Sequence, residues 1–481
     1  MGRRTILWLR RDLRLADHPA LAAAAADAEA LAPLYVLDPT LLVGRFASPN
    51  RVWFLLASLA ELAADLEARG SRLHVRVGRP ADELPAVARD IGATDCHVSR
   101  DLTPYGRSRD RSVADRLTAA GVAFHAARGI VIHEPEEVAT EAGAPFSVFT
   151  PFNRAWSRVP LRQTLPAPSR LPPPPDGLRS GPIPTAAELG VPPPTGDLAL
   201  MAAPGEAAAR ARLARWLAPL EGRRPLDDYA ATRDSLALDG TSHLSQDLRW
   251  GLLSPVEVAT AALAAGGPGV ERYVAELAWR DFFAHVLWHR PGVARANFQT
   301  KYDTLEWRDD PDAVAAWSEG RSGYPIVDAA MRQLRATGYM HNRARMIVAS
   351  FLCKDLLVDW RVGEAVFMRH LLDGDPASNN GGWQWAASTG TDAAPYFRIY
   401  NPVTQGERHD PDGVYVRRWV PELARVPLEH LHAPWTMPDA LQDAVGCRIG
   451  RDYPAPVVDH GFARERALAA FGATKTNPAL D

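Results

Sequence analysis

Cysteine is nearly absent: three residues in 481, none in a CxxC pair. That excludes a disulfide framework and a Cys-based zinc site, and it fits a reducing, cytoplasmic setting. An excess of one charge is also missing. The net charge is −3, so any nucleic-acid surface must be a local basic patch. No apolar run reaches the length of a membrane span. The five residues 5–9 between two arginine pairs are too few for a signal-peptide core. Gly2 is followed by Ile6 where a myristoylation site wants Ser or Thr. No GxGxxG opens a helix, so a dinucleotide is not held in the usual manner. There is no internal repeat.

What is present is an ordinary globular composition, 47% hydrophobic and 23% charged, long enough for two or three cores. The first part alternates strand-like and helix-like runs. "TILWLR", "LAPLYVLDP", "LHVRVG" and "DCHVSRD" read as strands. "HPALAAAAADA", "VWFLLASLAELAADLEARG", "ADELPAVARDIGA" and "SRDRSVADRLTAAG" read as helices between and after them. The series predicts an α/β unit with a doubly wound parallel sheet, whose ligands sit beyond the carboxyl ends of strands. Residues 160–196 are proline-dense and read as a semi-rigid linker crossing the surface. Beyond them the strand signal fades and seven long stretches carry helical periodicity, which predicts a large all-α unit. The expected division is 1–135, a connecting segment 136–204 and a helical domain 205–481.

The unusual residues concentrate in the helical part. Thr241, Ser242 and Ser245 beside Gly240 suit an anion site, or simply a helix cap. Asp373, Asp375, Asn379 and Asn380 follow a helix; their spacing fits no EF-hand, and a capped turn explains them equally. Glu276, Trp279, Arg280 and Phe283 lie at helical spacing, as a core stripe with an ion pair or as a ligand face. "GYMHNRARM" sets arginines around Asn342 and Met346, suited to phosphate and base contacts or to a solvated helix face. The polar segment "NNGGWQWAASTGTDAAPYFRIYNP", residues 379–402, reads as a loop, yet holds Trp383 and Trp385.

Together with "GTSHLS", "ELAWRDFF", "GYPIVDAAMRQL" and the N-terminal "WLRRDLRL", these blocks resemble the photolyase/cryptochrome family, most of all its class I cyclobutane pyrimidine dimer photolyases. The likeness spans nearly the whole chain except the proline linker. It implies FAD held in the helical domain by Tyr229, Thr241, Ser242, His243, Leu244, Ser245, Arg272, Asp373, Gly374 and Asp375, with Asn379 beside the flavin N5. It implies an electron relay through Trp383, Trp360 and Trp307. Trp279 and Trp385 would wall a flipped-out pyrimidine dimer, with Glu276, Asn342 and Met346 touching it. Arg233, Arg280, Arg343, Arg345, Arg398 and Gln405 would serve the DNA around the lesion. The implied reaction is redox-neutral: reduced FAD, excited by light, lends one electron to the dimer, the ring splits, and the electron returns. The implied partner is damaged DNA, engaged by a monomer with no membrane association, and no metal is expected.

The resemblance also implies an antenna chromophore in the N-terminal unit. "SRDLTPYGRSRD" looks like the 8-hydroxy-5-deazaflavin type, through Asp101, Tyr105, Gly106 and Arg109, with Arg10, Arg11 and Asp38 closing the crevice. A folate, 5,10-methenyltetrahydrofolate, is the alternative, and so is a plain Pro-bearing turn. Three other functions are weighed. A (6-4) photolyase would carry two adjacent histidines where His341–Asn342 stands. A cryptochrome would be expected to carry a long tail and another residue at the position of Asn379. A simple flavoprotein electron carrier leaves Trp279, Trp385 and the arginines unexplained. Tyr339 stands where relatives commonly carry Trp, which puts any side branch of the relay in doubt.

Overall fold

Five short runs build one sheet in the computed structural model, which describes residues 2–178, 181–219 and 222–474. They are β1 (Arg4–Leu9), β2 (Ala30–Leu37), β3 (His74–Val77), β4 (Asp95–Ser99) and β5 (Ala123–Ala127). All pair in parallel, in the order β3-β2-β1-β4-β5. β2 is buried along its whole length, as a strand covered on both faces must be. Ile6, Trp8, Cys96 and Val98 pack with the Pro80–Ile91 and Pro104–Ala119 helices. Leu7 and Leu9 face the other way, into a core shared with the Pro19–Ala25 and Pro49–Glu67 helices. The chain moves outward from β1 to β3, then returns to add β4 on the far side of β1. That reversal leaves a crevice beyond the carboxyl ends of β1 and β4.

β5 goes unseen in the sequence pattern. Its run AFHAA is short, half-exposed and poor in β-branched residues, because it is an edge strand. The proline-dense stretch is tied down along its course: Leu31 N–H donates to Pro173 O at 2.9 Å, and Leu171 and Val191 are buried.

The helical part shares the core of the sheet unit. Leu7, Phe54, Tyr229, Tyr273 and Phe282 belong to one continuous apolar cluster. A second cluster, around Trp317, Phe351, Trp360 and Trp383, lies wholly in the helical part. Two expectations need correction. The segment read as a loop from Asn379 is helical through Ala387: Pro376–Ala387 is one helix, and both indoles stand on it. Asp375 caps that helix and Pro376 opens it, which outweighs the poor helix propensity of two Asn and two Gly. Conversely, the long helical pattern 341–360 breaks. Asn342–Ser350 runs into one wide π-type turn, with Leu356 N–H donating to Phe351 O at 2.9 Å, and Asp359 caps a new helix, Trp360–His370.

That wide turn buries Lys354 completely. Its ammonium lies 2.9 Å from Ser388 Oγ, 3.3 Å from Ala387 O and 3.5 Å from the centre of the Phe471 ring. Burial pushes its pKa down to about 7. Between about pH 7 and the unfolded lysine value near 10.4, only the unfolded chain holds this proton. Stability therefore rises with pH in that window, by up to about 1.4 kcal/mol per unit from this group. Lys354→Met should remove that slope, as urea unfolding at pH 7.5 and pH 10 would show. An unchanged slope would mean the ammonium reaches water.

Candidate functional site

The Pro376–Ala387 helix organises the site. Asp375 Oδ1 accepts from the N–H groups of Ala377 (2.9 Å) and Ser378 (3.0 Å), while Oδ2 takes the guanidinium of Arg11 from the end of β1. Burial pulls the Asp375 carboxyl upward, but Arg11 and Arg249 outweigh it and leave the pKa at about 2. Asn379 donates to Glu364 O at 3.1 Å, and Asn380 to Glu364 Oε1 at 3.0 Å, fixing the helix against Trp360–His370. Three glycines set the packing. A Cβ on Gly381 would lie 2.1 Å from Phe283, and one on Gly363 would lie 2.0 Å from Trp383. On Gly382 it would meet nothing within 4 Å. The helix is thus jammed against two neighbours and open on a third side.

The residues expected around FAD are joined in small contact groups. Tyr273 donates to Ser242 Oγ at 3.2 Å, and Tyr229 lies edge-on to Tyr273 with ring centres 5.4 Å apart. The hydroxyls of Thr241 and Tyr339 are 3.3 Å apart, and the Tyr339 ring lies 4.6 Å from that of His243. His243 adopts φ 51°, leaving the buried Leu244 and then Ser245 to start the Ser245–Trp250 helix. Arg345 donates to Asp373 Oδ2 at 2.7 Å, and Gly374 O accepts from Arg249 at 2.9 Å. Asp373 Oδ1 and Trp383 Nε1 are buried without any partner. The unspent Asp373 Oδ1, beside the Arg345 guanidinium, can take a hydrogen bond from a polar ligand such as a flavin nucleotide.

The residues expected at a dimer divide. Glu276 accepts from Arg233 and lies 3.4 Å from Arg272. Asn342 Nδ2 and Met346 Sδ are 3.8 Å apart, one helical turn from each other. Trp279 is half-buried, and Phe149 stacks on one face at 3.7 Å and 8°. Trp385 is half-buried beside the second core cluster. Arg343 pairs with Asp234 at 2.8 Å, Arg398 is exposed, and Gln405 is half-buried. Arg345 and Arg280 point elsewhere. Arg345 is engaged by Asp373, among the FAD candidates. Arg280 donates to Leu248 O at 3.3 Å and lines a small cavity with Arg11 and Asp375.

Trp360 and Trp383 belong to one cluster, with Trp307 half-buried at its margin. Gly363, three residues after Trp360, lies on the same helix face, and the Trp383 ring rests against it. Trp360 Nε1 donates to Asn297 Oδ1 at 2.8 Å. Trp307 lies edge-on to Phe471, 6.0 Å away. Sequence reasoning misses Trp317, which lies edge-on to Trp383 at 6.0 Å but sits in an unremarkable helical run. It also misses Phe149, far from every motif, and Arg249, although Arg249 closely follows the Thr241–Ser245 block.

The expected antenna residues gather at the crevice of the sheet. Arg109 donates to Asp101 Oδ2 at 3.1 Å and to Asp110 at 2.9 Å; Arg10 also pairs with Asp110. Tyr105 donates to Asp38, which follows β2 and caps the next short helix. A Cβ on Gly106 would lie 2.1 Å from the Asp101 carboxyl carbon, so glycine is needed there. Burial alone would raise the Asp101 carboxyl, but Arg109, Arg11 and Arg10 hold it below the ordinary carboxylate range. Arg11 departs from this group: it turns to Asp375 and bridges the two units.

Residues 5–173 match the family described as DNA photolyase, and residues 273–473 match the FAD binding domain of DNA photolyase. The deoxyribodipyrimidine photo-lyase of Halobacterium salinarum is 43% identical, over 97% of this chain and 98% of that protein. Among solved structures, a bacterial class III photolyase from Agrobacterium tumefaciens superposes with TM-score 0.93 at 38% identity, over 99% of this chain and 98% of its own. A Synechocystis cryptochrome superposes with TM-score 0.90 at 31% identity, over 98% and 99%. The chain belongs to the photolyase/cryptochrome family, with a DNA photolyase domain followed by an FAD-binding domain.

Proposed function

We propose that this protein splits cyclobutane pyrimidine dimers in DNA under blue light. The observation that carries this reading is the end-to-end likeness to an enzyme named deoxyribodipyrimidine photo-lyase. Bound in its reduced form, FAD supplies the photo-excited electron. The protein's own residues do the rest. Asp373, Arg345, Ser242 and Tyr273 hold polar groups at fixed positions inside the helical unit, and Asn379 offers a neutral amide that can hydrogen-bond but does not act as an acid. Glu276, held by Arg233 and Arg272, presents a carboxylate edge to a base. Asn342 and Met346 present a polar and an apolar contact on one helix turn. Trp279, backed by Phe149, offers a rigid π-face. Exposed Arg398 and half-buried Arg343 supply charge for phosphates. Dithionite-reduced protein, mixed with dimer-containing DNA and illuminated with blue light, should remove the dimers. Bound flavin without repair would select a cryptochrome instead.

Trp279→Ala should weaken binding to dimer-containing DNA by about 1–3 kcal/mol, the range for one base-stacking aromatic, with FAD retained. Fluorescence titration of lesion and undamaged duplexes measures this. Unchanged affinity for the lesion would remove Trp279 from the binding wall.

The crevice at β1 and β4 is read as the antenna site, with 8-hydroxy-5-deazaflavin as its chromophore. Support comes from the gathering of Asp101, Tyr105, Arg109, Arg10 and Asp38 at one strand-end crevice. Protein expressed in a deazaflavin-making host should carry a second absorbing species near the violet-blue boundary, lost in Asp101→Ala while FAD stays. Purification with FAD alone from such a host would rule the reading out. The three buried, unpaired cysteines suit a cytoplasmic protein, read here as a monomer. No helix among the described residues is long and apolar enough to cross a membrane. The working division is 1–135, 136–204 and 205–481.

A further inference from the structure

Away from both candidate sites, Asp95, His97 and His125 each offer a ligand atom within 4.8 Å of the other two. The backbone imposes this grouping. Asp95 and His97 are two residues apart on β4 and so share a face. His125 on β5 is the direct register partner of His97, and their rings stack with centres 4.5 Å apart at 25°. We infer that these three residues form a binding site for a borderline divalent transition ion such as Zn²⁺, clamping the edge strand β5 to β4.

Three features separate this cluster from an ordinary surface ion pair. His97 is only 6% exposed, and its Nε2 has no partner. The carboxylate is already aimed. Arg3 holds both Asp95 oxygens at 2.9 Å, and Thr94 donates to Oδ2 at 2.7 Å. Such outer partners orient a carboxylate ligand. The charge balance also allows a cation: Arg3 is shared with Asp27 at 3.6 Å, so two carboxylates face one guanidinium.

Two imidazoles and one carboxylate suit Zn²⁺, Ni²⁺ or Cu²⁺ rather than Mg²⁺ or Ca²⁺. Ligation at about 2.0–2.2 Å requires the three donor atoms to draw in around one point. His125 Nε2, now 2.8 Å from Asp95 Oδ1, must open slightly to admit the ion. It can do so because its side chain is 44% exposed on an edge strand. A water would complete a tetrahedral set.

Crystals of the FAD-loaded full chain soaked in ZnCl₂ should show an anomalous peak at the zinc edge between these three residues. In solution, calorimetric titration with ZnCl₂ should detect a binding event that His125→Gln weakens by more than the roughly 10–100-fold typical of losing an outer-shell partner. His125 is exposed, so this variant keeps the fold. His97→Gln, checked by its bound FAD spectrum, should lose the same event. A crystal with no peak at this cluster, or titrations in which wild type and His125→Gln bind zinc alike, would overturn the site.

Discussion

Trp360→Phe should abolish the light-driven reduction of oxidised FAD while leaving repair by chemically reduced protein nearly intact. The two outcomes separate because they depend on different sides of the flavin chemistry. Photoreduction needs an electron delivered from the protein surface. Trp383 is buried against Gly363, Trp360 lies one turn away in the same cluster, and Trp307 is half-buried at its edge. Phenylalanine is far harder to oxidise than tryptophan, so the middle position would block transfer without altering shape much. The structural cost is bounded. Asn297 Oδ1 loses the 2.8 Å hydrogen bond from the indole, about 1–3 kcal/mol for a buried acceptor left unpaired. The measurement is the flavin absorption band under blue light with an external reductant, beside a dimer-repair assay after dithionite. Loss of both activities together would make Trp360 a packing residue. Trp317, edge-on to Trp383, is the alternative exit. Residual photoreduction in Trp360→Phe that vanishes on adding Trp317→Phe would place the electron path there.

How far the sequence discloses this site depends on the distance over which each feature is decided. β1 and β2 are visible because their residues are buried on both faces and form near-continuous apolar runs. β5 is invisible because an exposed edge run of Ala and His has no such constraint. The Trp383–Trp385 segment is misread because its composition favours a loop. Its helix is imposed by the Asp375 cap and by close contact of Gly381 with Phe283, on a helix that lies far earlier in the chain. Motif blocks point to the residues expected around the flavin, but not to their pairings. Arg345 belongs to a pattern that suits phosphate binding, yet its charge goes to Asp373, 28 positions away. The Phe149–Trp279 stack likewise joins residues with no shared local pattern.

Asp375→Asn should destabilise the protein by about 3–5 kcal/mol, the cost of leaving a buried cation without its partner. The carboxylate at this position has two separable tasks. Oδ1 caps the Pro376–Ala387 helix, and asparagine caps a helix about as well as aspartate. Oδ2 meets Arg11 from the sheet unit, and its charge also faces Arg249 and Arg280. Without it, three largely buried guanidinium groups would sit together at the junction between the sheet and the FAD-binding domain. Asp375→Ala should lose the cap as well, for about 1 kcal/mol more. Urea unfolding of the flavin-free protein, followed by far-UV circular dichroism, compares the three chains without contribution from ligand. The pH dependence follows the depressed carboxyl. The Asp375 contribution is complete above the ordinary aspartate value near 3.9 and fades as pH falls through about 2, so wild type and Asp375→Asn should converge in acid. If Asp375→Asn unfolds within about 0.5 kcal/mol of wild type at pH 7, the arginines are solvated and the junction is held by the shared apolar core alone.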